Sequence, residues 1–184
     1  MQSGNEPGRD AAALNLRGIR FIEDNKYDKA VEAFSQSLEL SPSAPGVLFN
    51  RAEARRLSGD TKAAAADLTE ALRLSPGEPE YLHALGLVAY DEDDFAAAME
   101  WYAKALAVDP SNANAWNDSG VVHFRKGNFA QARSAFEKAV ALEPGSAEAW
   151  YNLADTYEEL GLKTDRVRAL EGLRKAGGLP EDRE

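Results

Sequence analysis

The chain has 184 residues, 44% of them hydrophobic and 28% charged, with a formal net charge of −10. That composition is ordinary for a globular protein of one or two domains. The acidity argues against a nucleic-acid surface, which must neutralise phosphates, and against docking on anionic lipid. No cysteine is present, so neither a disulfide nor a thiolate metal site can form. No run of about 18 apolar residues exists for direct membrane insertion. The lack of cysteine fits the cytoplasm; a periplasmic or lipid-anchored location would need a signal peptide removed upstream of Met1.

Residues 1–10 are polar, with Gly4, Pro7 and Gly8, and read as a disordered leader. In 11–44, Leu14, Gly18, Phe21, Tyr27, Ala30, Phe34 and Ser37 stand at mostly three- and four-residue intervals, and Pro42 follows. Those intervals predict two short amphipathic helices turning near Asn25. The segment 45–78 opens on Pro45, a natural first-turn residue. It carries Leu48, Ala52, Gly59, Ala64, Leu68, Ala71 and Pro76, but Arg51, Arg55 and Thr61 interrupt its apolar positions and predict a weakened core there.

The segment 79–112 has Leu82, Leu85, Gly86, Phe95, Ala98, Tyr102, Ala105 and Pro110, with Asp91-Glu92-Asp93-Asp94 between its helices. The segment 113–146 has Trp116, Gly120, Phe129, Ala132, Phe136, Ala139 and Pro144, with Gly127-Asn128 as its turn. Gly120 and Ala132 are small, which predicts close helix approach; Ser119 stands where a Leu is usual. In 147–180, Trp150, Leu153, Ala154, Tyr157 and Gly161 continue the pattern, whereas Arg166, Leu173 and Gly178 depart from it. Arg166, Arg168, Glu171, Arg174 and Lys175 supply the polar outer face a terminal repeat needs. The chain from Gly177 is expected to fray, and 181–184 is a tail.

The order of key residues recurs every 34 positions, the period of a helix–turn–helix repeat. On these residues the chain resembles the tetratricopeptide repeat family from residue 11 to residue 180, with four in-register copies and a divergent fifth acting as a cap. The resemblance implies an all-α fold: a right-handed α-solenoid of stacked helix–turn–helix units, an alpha–alpha superhelix of ten helices without a sheet. Turns are expected near Asn25, Gly59, Asp93, Gly127 and Gly161.

The resemblance also implies a non-catalytic interaction module that uses the first helix of each repeat. Carried over, the peptide-binding residues are Phe49, Asn50 and Glu53, then His83 and Tyr90, then Asn117, Asp118 and Phe124, and last Tyr151, Asn152, Asp155 and Glu159. Asn50, Asp118 and Asn152 also fall where some glycosyltransferase arrays carry an asparagine ladder, which Leu16 and Ala84 break. The basic clamp of chaperone-tail binders is missing. Across this face Glu23, Glu53, Glu80, Asp91, Asp118, Glu148, Asp155, Glu158 and Glu159 face only Arg56 and Arg125 in charge. A basic, partly hydrophobic protein or peptide is therefore the expected partner, with the fifth repeat contributing most of the acidity.

No cofactor and no metal are expected. The Asp91–Asp94 run lacks the central Gly and closing Glu of a calcium loop and reads as a solvated turn. His123 reads as a satisfied histidine at the core edge. No phosphate-binding or nucleophile motif occurs, so no enzyme is expected. The competing readings are a self-assembling scaffold, a bacterial envelope lipoprotein or assembly factor, and a secretion chaperone.

Overall fold

The computed structural model describes residues 7–178, which form ten helices and no strand. They are α1 (Pro7–Glu23), α2 (Tyr27–Leu40), α3 (Pro45–Leu57), α4 (Thr61–Leu74), α5 (Pro79–Asp91), α6 (Phe95–Val108), α7 (Ala113–Arg125), α8 (Phe129–Leu142), α9 (Ala147–Glu159) and α10 (Lys163–Lys175). Residues 7–10, expected within the leader, are the first turn of α1: Pro7 suits a helix start, where its missing N–H costs nothing. The rest of the leader and the 181–184 tail lie outside the described residues.

The helix ends follow from local chemistry. Asp60, Asp94, Asn112 and Ser146 each accept a hydrogen bond from the backbone N–H three residues on, at 2.9–3.2 Å. Each satisfies a donor that the first helical turn leaves open. Within each helical hairpin the chain reverses through one left-handed residue: Asn25, Gly59, Asp93, Gly127 or Gly161, with φ between 57° and 90°. Only Gly adopts this region without cost, and Asn and Asp tolerate it best among the rest.

The helices fall into two compact units, one ending at Asp93 and the other starting at Asp94. In the first unit each helix packs on the next, from α1 to α5, and first helices also touch across repeats, α1 with α3 and α3 with α5. Its core gathers Ala30, Phe34 and Ala54 in one cluster and Leu38, Leu48 and Ala71 in another. In the second unit α6 to α10 pack in the same succession, and α7 also meets α9. Phe136, Val140, Leu153 and the small Ala132, Ala139, Ala149, Ala154 and Ala169 form its core, with Trp116 and Trp150 packed against it.

Close approach is the price of fitting a ring between two helices. A Cβ on Gly18 would lie 2.4 Å from the Phe34 ring, and one on Gly120 would lie 2.6 Å from the Phe136 ring. Both pairs are 16 residues apart. The same offset links Arg51 to Asp67, where the second repeat departs from the apolar pattern. Asp67 is only 5% exposed. It accepts a two-pronged pair from Arg51 at 2.7 and 2.8 Å and a further bond from Arg55 at 2.7 Å. Arg51 also donates to Ser35. The arginines thus replace apolar contacts with a paired charge cluster.

The last helix, α10, keeps its place despite the departures in its sequence. Ala169 and Leu173 are buried, and Gly172 admits the Trp150 ring, which a Cβ there would meet at 2.5 Å. Arg166 pairs with Glu158 at 2.9 Å.

Candidate functional site

The face expected to bind is built from α3 and α5 in the first unit. Phe49 and Asn50 are half-buried on α3, while Glu53 is exposed and has no polar partner among the described residues. The Phe49 ring lies 5.2 Å from that of Tyr81, tilted by 30°. Tyr81 was not among the expected residues; it stands two positions before His83, and only the packing of α3 on α5 brings it to Phe49. His83 and Tyr90 are half-buried on α5. Asn50 donates from Nδ2 to Asn15 Oδ1 at 3.0 Å. Asp91 and Arg56 form an ion pair at 2.8 Å, so these two charges offset each other on the face.

In the second unit the face is built from α7 and α9. Asn117 is buried. Its Oδ1 accepts from Asn152 Nδ2 at 3.0 Å, and its Nδ2 donates to Glu148 at 3.2 Å and to Asp118 at 3.3 Å. The Asn117–Asn152 pair repeats the Asn15–Asn50 pair at the same separation of 35 residues. These amides tie neighbouring first helices together. Asn50 and Asn152, two of the ladder positions, lie on this seam, and their partners Asn15 and Asn117, the latter expected as a peptide contact, stand one position earlier in their own repeats.

Beside this seam lies a notch of about 80 Å³, lined by Val121, Phe124, Arg125, Phe136, Asn152 and Asp155. Phe124 is held edge-on to Phe129, with ring centroids 5.2 Å apart. Arg125 lies over the Phe95 ring at 5.4 Å. Asp155 is half-buried and makes no hydrogen bond or ion pair among the described residues; Glu159, one turn on, is exposed and equally unpaired. Tyr151 is 54% exposed. Glu158, counted with the acidic face from sequence, is instead held by Arg166.

The acidic turn Asp91–Asp94 has a structural use for each residue. Asp91 pairs with Arg56, Glu92 accepts from the Thr61 hydroxyl at 2.8 Å, Asp93 takes the left-handed turn, and Asp94 caps α6. His123 is half-buried as expected of the core edge, but it is not satisfied: its Nδ1 is buried without a partner among the described residues. Burial first, and the Lys126 ammonium second, hold the imidazole below its ordinary pKa. Among the described residues no helix is long and apolar enough to cross a membrane.

Comparison with known proteins agrees with the repeat fold. A tetratricopeptide repeat model matches residues 15–79 and 118–180, and a second TPR repeat model matches 88–127. Tetratricopeptide repeat protein 36 of Mus musculus is 43% identical over 56 residues, and that of Homo sapiens 42% over 56; each match covers 30% of this chain and 30% of the relative. Among solved structures, Pseudomonas aeruginosa PilF superposes with a TM-score of 0.83 at 18% identity, covering 95% of this chain and 79% of that one. The MamA protein gives 0.70 at 22%, covering 92% of both. The first TPR of Spaghetti (RPAP3), bound to the HSP90 peptide SRMEEVD, gives 0.60 at 21%, covering 65% of this chain and 95% of that one. With family models covering most of its length and helical hairpins recurring throughout, the chain belongs to the tetratricopeptide repeat family.

Proposed function

We propose that this protein is a non-catalytic binding module that holds a basic, partly hydrophobic peptide segment of a partner protein against the α7–α9 face. The observation that supports the reading is the notch at Phe124, where Val121 and Phe124 stand beside the unpaired Asp155 carboxylate and Arg125 is engaged over the Phe95 ring. A Lys or Arg side chain meets both needs at once: its aliphatic stem covers Phe124 while its charged head reaches Asp155. Tyr151 offers an exposed ring for an apolar neighbour, and Glu159 adds field that speeds approach. In the first unit, Phe49 and the free Glu53 carry the same combination of ring and carboxylate. The peptide held by the Spaghetti repeat is acidic, and the charge here favours the opposite sign.

The test uses a set of fluorescent ten-residue peptides in which Lys or Arg alternates with Leu or Phe, with a Glu-for-Lys set as control. Basic peptides should bind, with affinity falling as salt rises, because exposed charges are screened over about 8–10 Å. Asp155→Lys should weaken binding at least tenfold, and Tyr151→Ala should mainly speed dissociation. Equal binding of the acidic set, or affinity blind to both salt and Asp155→Lys, would sink the reading.

Self-association is the second reading, and one observation favours it. The helix α10 carries five cations against two carboxylates in an otherwise acidic chain, and Val167 on it is 56% exposed. A second copy's α10 would then serve as the basic segment. Light scattering across a concentration series separates the two, since a strict monomer removes self-association.

A further inference from the structure

Ser119 is the departure that the peptide-binding face leaves unexplained. At the equivalent positions 34 residues before and after it stand Leu85 and Leu153, both buried. Ser119 is equally buried, and its hydroxyl is spent on the Ala115 carbonyl at 2.7 Å. The smaller side chain leaves space that a leucine would fill. A groove of about 500 Å³ opens there, with α7 as its floor and α6 and α8 as its walls.

The groove lies on another side of α7 from the face described above. Trp116, Ser119 and His123 recur at three- and four-residue intervals and share one side of the helix, whereas Asn117 and Phe124, seven apart, share a different one. The α6 wall is apolar, with Met99 and Leu106, while the α8 wall sets Ala135 beside the polar Gln131 and Ser134. Its volume falls within the range of natural ligand sites. A trough between two helices is also the shape that takes the ridge of a third helix.

The charges at the two ends of the floor share one sign. The Lys138 ammonium sits 3.8 Å from the centre of the Trp116 ring. At the other end Lys126 caps the C-terminus of α7 and lies close enough to act on the His123 charge. Glu100, one residue past Met99, is the acidic group on the α6 side. From Trp116 to Lys126 the helix advances about 15 Å. In a chain of net charge −10 this is an apolar trough bracketed by two lysines.

We infer that this trough, opened by Ser119 between α6 and α8, docks an amphipathic partner helix whose apolar ridge is bracketed by acidic residues two to three turns apart. Apolar side chains at i, i+4 and i+7 fill the space over Ser119, and the flanking carboxylates meet Lys138 and Lys126. The soft thioether of Met99 adapts to the shape of the ridge. The binding surface is separate from the Asp155 notch and prefers the opposite charge.

The probe is a helical peptide of about 18 residues with Leu at i, i+4 and i+7, bracketed by Glu, compared with the same peptide bracketed by Lys. Amide and indole NMR of the full chain reads the site. The Glu-bracketed peptide should shift the Trp116 indole N–H and the His123 signals, and bind at least tenfold more tightly than its Lys-bracketed twin. Ser119→Leu restores the residue that its neighbouring repeats carry, so the fold should be retained and binding lost. Ala103→Phe, at an exposed wall position, should also block it. Lys126→Glu with Lys138→Glu should reverse the charge preference, and Asp155→Lys should leave binding unchanged. The inference is overturned if neither peptide binds, if the shifts fall on Tyr151 and Phe124 instead, or if Ser119→Leu and Ala103→Phe both bind as the natural chain does.

Discussion

Gly120→Ala tests the closeness of the helices in the second unit. The new Cβ would lie 2.6, 2.7 and 2.9 Å from three carbons of the Phe136 ring. Carbon atoms pack at about 3.5–4.0 Å, so roughly 1 Å of overlap must be relieved. Phe136 is 1% exposed and hemmed in by Ala132, Ala139 and Leu153, so the ring has little room to yield. Overpacking of this kind costs about 1–3 kcal/mol, against a helix-propensity gain of about 1 kcal/mol for Ala over Gly. The net expectation is a loss of about 0–2 kcal/mol, and a fall in Tm of up to about 8 °C for a chain of this size.

Phe136→Leu alone removes ring contacts and should cost about 1–2 kcal/mol, a fraction of a full truncation. The double variant recreates the Ala and Leu that the chain already carries 16 residues apart at Ala52 and Leu68, and at Ala154 and Leu170. It should therefore be more stable than the two single losses added together, by at least about 1 kcal/mol. Urea denaturation followed by circular dichroism gives all four corners of the cycle. Additive losses, or a Gly120→Ala variant more stable than the natural chain, would refute the close-contact argument.

Asp67→Ala leaves Arg51 and Arg55 facing each other without their shared carboxylate. Breaking a buried ion pair from one side costs about 3–5 kcal/mol; with both arginines reaching solvent, about 3 kcal/mol is expected from denaturant midpoints at constant slope. Tyr157 donates to Glu137 and is pushed up to about 12, first by burial and then by that bond. Its folded value exceeds its unfolded one, so its contribution to stability is fully present below pH 10 and fades as pH rises towards 12. Ultraviolet titration of the phenolates should show a late-ionising component near pH 12 that disappears in Tyr157→Phe, distinct from the upward-shifted Tyr81.

How much of this was legible in the sequence depends on which contacts are local. The left-handed turns at Asn25, Gly59, Asp93, Gly127 and Gly161 were legible because turn chemistry belongs to a few adjacent residues. Gly120 and Phe136 were legible as a small and a large residue sharing one repeat. The charge cluster at Asp67 was not: Arg51 and Arg55 look like core defects until α4 presents an acid to them. For the candidate face, the sequence showed which helices carry the acids, but not that Arg56 offsets Asp91 or that Arg166 holds Glu158.

The sequence by itself determined the period, because each 34-residue unit repeats the same pattern of small, aromatic and turn residues. Only the tertiary structure decided which residues meet between neighbouring repeats. Asn15 meets Asn50, Arg56 meets Asp91, and Asn117 meets Asn152, each 35 residues apart rather than 34. A first helix has a neighbour on either side, and successive residues point about 100° apart around it. One position therefore faces the repeat ahead and the next position faces the repeat behind. Contact joins a residue to the successor of its own equivalent, a shift that the repeat pattern leaves open and helix packing settles.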